Sequence, residues 1–413
     1  MCMADGMTYA LIFLVVVMFK RFGLNNATIT FNIAWVCIPW IVRPICHLLA
    51  RRAPLNKGRW MLMCEAIFAG AVLAMAATLK SDYWFQWSML MLLAASTAGM
   101  VHGVMCESLY KDLTHNEWNV ALRPLYVVYH TLAPLIGLGM MTMMAGNIEV
   151  MTRNTDAAWT ATLRLMAATS AAVLIANALL AKLCSSHLST TDKINNAKNW
   201  HEMVSAIRLF LGHHTFSVGA LFMFCFLLPQ GFTLGVSSLF LIDSIHRGGL
   251  GLSPQEYGLT EGTVGVLGLA VGCLLCMRAI KLFKFKNILL PLAMANFLPA
   301  ISMVMLSRTM PQDLNLVNFW LFVGHAGLGI ALTTALAFLS HYSCGQYKAT
   351  YYSAGLALIA LSILLSVLYS GTLQRYYGYR QYFYIALAVC ALSPIVALVL
   401  RCTCLRGGTP KAQ

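Results

Sequence analysis

Twelve stretches of about twenty mostly apolar residues recur along this chain, and each is long enough to cross a bilayer as a helix. They lie near 4–19, 29–49, 60–79, 84–110, 119–145 and 159–183, then 213–242, 258–282, 287–307, 315–341, 350–372 and 381–402. Of the 413 residues, 59% are hydrophobic and 10% charged. A soluble domain carries about 25% charged residues. So little charge cannot clothe a water-facing surface, and the mean hydropathy of +0.72 agrees. Disordered chains, coiled coils and soluble α/β enzymes are excluded. In lipid each backbone polar group must be satisfied within its own segment, which predicts an all-α membrane protein.

One long polar interruption, Ser185–Leu211, divides the chain. It predicts a six-helix half over 1–184, a cytoplasmic linker over 185–211, and a second six-helix half with a short tail over 212–413. The net charge is +14. Its basic residues sit mostly in short loops, where they set orientation. With both termini cytoplasmic, about twice as many Lys and Arg fall on the cytoplasmic side as on the other. The expected location is a cytoplasmic membrane, with the lipid bilayer, not nucleic acid, as the surrounding partner. No Lys or Arg precedes the first apolar run, so it reads as a membrane helix and not as a cleaved signal. The 13 cysteines are scattered through apolar runs and form no disulfide framework. Cys273 and Cys276 form a CxxC inside a membrane segment, where small residues serve helix packing.

Several motifs carry a family resemblance. Ile38-Pro39-Trp40-Ile41-Val42-Arg43-Pro44 is followed by Lys57-Gly58-Arg59-Trp60. Phe240-Leu241-Ile242-Asp243 leads into Gly248-Gly249-Leu250-Gly251-Leu252-Ser253, Tyr257-Gly258-Leu259 and Glu261-Gly262-Thr263-Val264-Gly265. Tyr377-Gly378-Tyr379-Arg380 precedes the last segment. Together they resemble the AmpG-type permeases of the peptide/acetyl-coenzyme A transporter group in the major facilitator superfamily. The resemblance implies the major facilitator fold, alternating access, and transport of muropeptides or related polar solutes. The chain departs from that pattern on its fourth segment. His102-Gly103 and Glu107-Ser108-Leu109-Tyr110 stand where the family has His-Asp and an Asp-Gly-Phe-Tyr-like run.

An ionisable group inside the bilayer costs about 2.5–3.5 kcal/mol, so the few polar residues within apolar segments are the candidates for function. Arg43 lies between Pro39 and Pro44, either to clamp an anionic group or to pair with Glu65 or Glu107. Glu65 is expected to make a gating bridge to a loop arginine. Glu107 is the proton-coupling candidate, with Lys111 at spacing four as the alternative partner. His102 lies about 140° round the helix from it. Arg123, Tyr126 and His130 share one face of the fifth segment, for solute binding or for interhelical hydrogen bonds. Gln230, within Pro229-Gln230-Gly231, and His325, beside Gly324, Gly327 and Gly329, complete the expected solute contacts. Asp243, with His246 and Arg247 nearby, reads as an outer gate. Glu261 is expected to begin the eighth helix and favour its positive end.

There is no GxSxG, HExxH or Walker lysine, so no enzyme is expected, and no cofactor or metal. The expected activity is secondary active transport of a small polar solute by a monomer, with protons as the coupling ion left open. The alternative is a non-transporting membrane sensor on the same scaffold.

Overall fold

The computed structural model describes residues 2–46, 57–114, 130–183, 214–343 and 348–403. These residues are helical almost throughout, with no strand among them. The first group is α1 (Cys2–Arg21), α2 (Asn26–Cys46), α3 (Lys57–Thr78), α4 (Trp84–Thr114), α5 (His130–Thr152) and α6 (Thr155–Leu183). The second is α7 (214–242), α8 (Pro254–Leu282), α9 (Phe285–Thr309), α10 (Leu314–Tyr342), α11 (348–377) and α12 (379–403). The expected linker lies outside the described residues.

Ten helical segments among the described residues are long and apolar enough to cross a membrane. One of them, Tyr351–Cys402, is 52 residues long. At 1.5 Å per residue it extends about 78 Å, more than twice the hydrocarbon thickness. Its helical path breaks at Gly378, whose φ of 71° a side chain would resist. That break separates α11 from α12. Leu73, Leu179, Leu275 and Phe283 are each more than half exposed, as side chains facing lipid would be.

In the first bundle α3 packs on α4 and α6, and α1 on α4. In the second, α8 packs on α10, α9 on α10, and α7 on α11. Two seams join the bundles, α2 against α11 and α5 against α8, while α1 leans on α7. Buried residues of both groups, including Phe19, Trp159, Phe240 and Phe383, form one continuous apolar core.

Prolines shape the spans. Leu135–Met140, directly after Pro134, is a π-helical turn. In α7 the chain kinks at Leu227, before Pro229. The carbonyls freed there are not left bare. Ser393 Oγ donates to Phe226 O at 2.9 Å, and Ser366 Oγ to Leu228 O at 2.9 Å. Neighbouring helices thus satisfy a broken backbone within the bilayer.

Candidate functional site

The backbones of the two bundles touch where α5 meets α8. Both helices carry a π turn here, Leu135–Met140 and Thr260–Gly265. A Cβ on Gly262 would come within 2.4 Å of Gly139 Cα, and one on Gly139 within 2.8 Å of Gly262 O. Only glycine on both sides lets the backbones touch.

Beside this contact lies a buried acid–histidine pair. Glu261 is 3% exposed, and its Oε1 stands 3.3 Å from His325 Nε2. His325 Nδ1 lies 3.0 Å from Leu321 O. A carbonyl can only accept, so Nδ1 carries the hydrogen. A neutral imidazole then presents a lone pair at Nε2, toward a carboxylate that also has only lone pairs. The pair is attractive only when it holds one further proton, on Nε2 or on the carboxyl. Tyr9 of α1, from the other bundle, lies within electrostatic reach of Glu261, as does Tyr257 on α8. Tyr257 donates to Ser238 Oγ at 2.9 Å.

This corrects the expectation for Glu261. The eighth helix begins at Pro254, not near 258, and Ser253 with Glu256 forms its capping box. Glu261 is therefore almost two turns inside. His325 was an expected solute contact, and its partner is that carboxylate. Sequence gave two signals, a lone acid and a lone histidine in apolar spans. It gave no sign that residues 64 positions apart would meet.

A second cluster ties the two bundles together at one end. Lys20 Nζ donates to Asp243 Oδ2 at 2.8 Å, and the two side chains are 7% and 5% exposed. Tyr379 Oη donates to the same oxygen at 2.9 Å. Asn26 accepts from Lys20 at 2.6 Å and donates to Gln374 at 2.8 Å. Burial alone would raise the Asp243 pKa. The Lys20 ammonium, the Tyr379 hydroxyl and the Ser244 N–H outweigh it and hold the carboxyl below its ordinary value. The position expected for a gate thus carries a cross-bundle ion pair, with Lys20 as main partner. Arg247 is more distant at 3.6 Å and largely exposed. Beside this pair opens a cavity of about 750 Å³, lined by Arg21, Glu149, Arg153, Arg247 and Glu256 among others.

The remaining candidates fall elsewhere. Arg43 Nη2 pairs with Glu107 Oε2 at 2.6 Å, one of the two partners its position suggested. Glu107 is 40% exposed, so it lacks the enclosure expected of a proton carrier. Glu65 is buried, and its described partners are His102 and Asn177 instead of a loop arginine. Gln230 is 1% exposed and donates to Asn296 Oδ1 at 2.8 Å and Asn296 O at 3.0 Å. It ties α7 to α9 within one bundle, so the geometry makes it interhelical glue and not the expected solute contact. His130 is half-buried at the start of the described part of α5, its carbonyl close to Gly6 of α1. Arg123 and Tyr126 lie outside the described residues.

No family model matches the chain. No curated protein matches it in sequence. Solved structures match it closely in fold. The nucleoside transporter NupG superposes with a TM-score of 0.68 at 12% identity, covering 97% of this chain and 96% of that one. A bacterial homolog of the human lysosomal transporter Spinster, inward-facing and occupied, gives 0.67 at 14%, covering 100% and 96%. A D-xylose–proton symporter gives 0.65 at 11%, covering 97% and 94%. The chain has the major facilitator fold and is a multi-pass membrane protein.

Proposed function

We propose that this chain is a secondary transporter. It carries a small polar solute across a membrane as the two bundles rock about the α2–α11 and α5–α8 seams, coupled to protons through Glu261 and His325. The observation that carries this is the buried Glu261–His325 pair beside the glycine contact between bundles. With His325 Nδ1 turned to Leu321 O, the 3.3 Å approach of Nε2 to the carboxyl is attractive when the pair holds one further proton. Movement at the α5–α8 seam would change how well Glu261 is shielded, and with it the affinity for the proton. Differential proton binding in two conformations is what coupling needs. Glu107, the earlier candidate, is better suited to holding Arg43. The reading keeps two six-helix halves over 1–184 and 212–413, both termini cytoplasmic, and solute contacts from Arg123, Tyr126 and His130. The resemblance to AmpG-type permeases makes muropeptides the first solutes to try. The folds matched make nucleosides and pentoses the next.

The test is solute uptake into proteoliposomes with and without an imposed pH gradient, with anhydromuropeptides, nucleosides and xylose as the panel. Uptake driven by the gradient is expected for at least one of them. Glu261→Gln is expected to lose the gradient dependence and Glu107→Gln to keep it. No uptake by correctly oriented protein would favour the sensor.

A further inference from the structure

A second buried acid–histidine pair lies inside the first bundle, away from the seams. His102 Nε2 stands 3.0 Å from Glu65 Oε1, and Asn177 Nδ2 donates to the same oxygen at 2.7 Å. Their helices are α4, α3 and α6. The Glu65 and His102 side chains are 3% and 2% exposed. Oε1 thus takes two hydrogen bonds, whereas Oε2 is buried with no hydrogen-bond partner among the described residues. Thr8 Oγ1, on α1, is likewise buried and unpartnered. Both residues line the same small cavity, about 20 Å³, enough for one water. Leaving either oxygen bare in an apolar interior costs about 1–3 kcal/mol, so the cavity that both residues line favours a small polar occupant.

The walls decide what. Half of the lining residues are Met7, Cys64, Phe68, Ala98 and Val173, with Ser170 the one further hydroxyl besides Thr8. Ser170 already donates to Met166 O at 2.8 Å. A hard metal cation needs a full shell of oxygens, which this surface does not offer. A buried carboxylate still needs its charge balanced. Besides Glu65 and His102, Cys64 is the only titratable side chain on the cavity wall, and a thiol supplies no positive charge.

We propose that Glu65, His102, Asn177 and Thr8 form an enclosed site for one proton and one water within the first bundle, and that α1 links it to the pair between the bundles. Thr8 is wedged against α4, where a Cβ on Gly99 would meet its Oγ1 at 2.1 Å. The next residue, Tyr9, turns about 100° round the helix and comes within electrostatic reach of Glu261. One turn of α1 therefore lines the cavity of one acid–histidine pair and lies within electrostatic reach of the other. A shift of α1 toward either pair alters the other, so two protonations far apart in sequence share one mechanical element. The site itself stands without the transport reading, and only the link rests on it.

The test is a pH titration of the purified full chain in lipid nanodiscs, without solute, followed by difference infrared spectroscopy of carboxyl and imidazole bands. A titrating signal of about one proton per chain is expected that Glu65→Gln abolishes and Glu261→Gln retains. Exchanging sodium for choline should leave it unchanged. Thr8→Val keeps the side-chain shape and removes the hydroxyl, and it should shift the midpoint by about half a pH unit or more. This variant serves if Glu65→Gln fails to fold. A signal indifferent to Glu65→Gln, or to Thr8→Val where the first does not fold, overturns the site, as does displacement by sodium. Failure of all solute uptake with this titration intact would instead overturn the transport reading.

Discussion

At Asp243 one carboxylate holds three helices. It accepts from Lys20 of α1 and from Tyr379 at the start of α12, while the residue's own backbone N–H bonds Leu239 O at the end of α7. Removing one partner of a buried ion pair strands the other charge, at a cost of about 3–5 kcal/mol. Asp243→Asn is therefore expected to weaken closure at this end. Labelling of a cysteine placed at position 252, buried on the wall of the adjacent cavity, should rise several-fold, and Lys20→Met added to Asp243→Asn should recover part of the loss. The pH dependence follows from the lowered pKa of Asp243. A depressed carboxylate contributes stability that is complete above its unfolded value, about 3.9. That stability is lost only as pH falls through the lower folded value. Labelling at position 252 of the otherwise unchanged protein should thus stay flat from about pH 5 to 8 and rise only in stronger acid.

Among elements, glycines on one helix are not equivalent to glycines on another. Gly262 on α8 faces Gly139 backbone, which cannot move aside. Gly70 on α3 has nothing within 4 Å of where its Cβ would stand. Gly262→Ala should cost about 1–3 kcal/mol by overpacking, whereas Gly70→Ala should cost nothing. Thermal unfolding in detergent would separate the two, and equal effects would remove the seam from the account. The run of glycines along α8 was legible as close packing, but not which neighbour it served. The π turns were less legible still. Pro134 marks one, but nothing in Thr260–Gly265 announces the other, which forms in a buried stretch packed against α5 and α10. Gln230 went the other way. Its break at Pro229 read as a solute site, and packing against α9 and α11 absorbed it.

For the whole molecule the question is whether the seams must slide. Gly371 of α11 donates its backbone N–H to Thr30 Oγ1 of α2 at 3.2 Å. A Cβ on Gly371 would stand 2.3 Å from that oxygen. Two cysteines there would fall near disulfide range, about 3.5–4.5 Å between Cβ atoms. In a background with the accessible native cysteines replaced, Thr30→Cys with Gly371→Cys should cross-link on oxidation. Any solute uptake should then stop, and reductant should restore it. Uptake unaffected by complete cross-linking would mean that this seam stays fixed through the cycle.

The helical membrane architecture was determined by the sequence itself, because apolar length and scarce charge leave a chain no other way to satisfy its backbone in lipid. The helix pattern follows from residues near one another along the chain. The partners of the buried charges were decided only by the tertiary structure. Glu261 with His325, Glu65 with His102 and Lys20 with Asp243 are separated by tens to hundreds of residues. A helix wheel shows which way a side chain points. What it meets depends on which helices pack together, and that is settled by backbone contact and side-chain volume summed over the whole bundle.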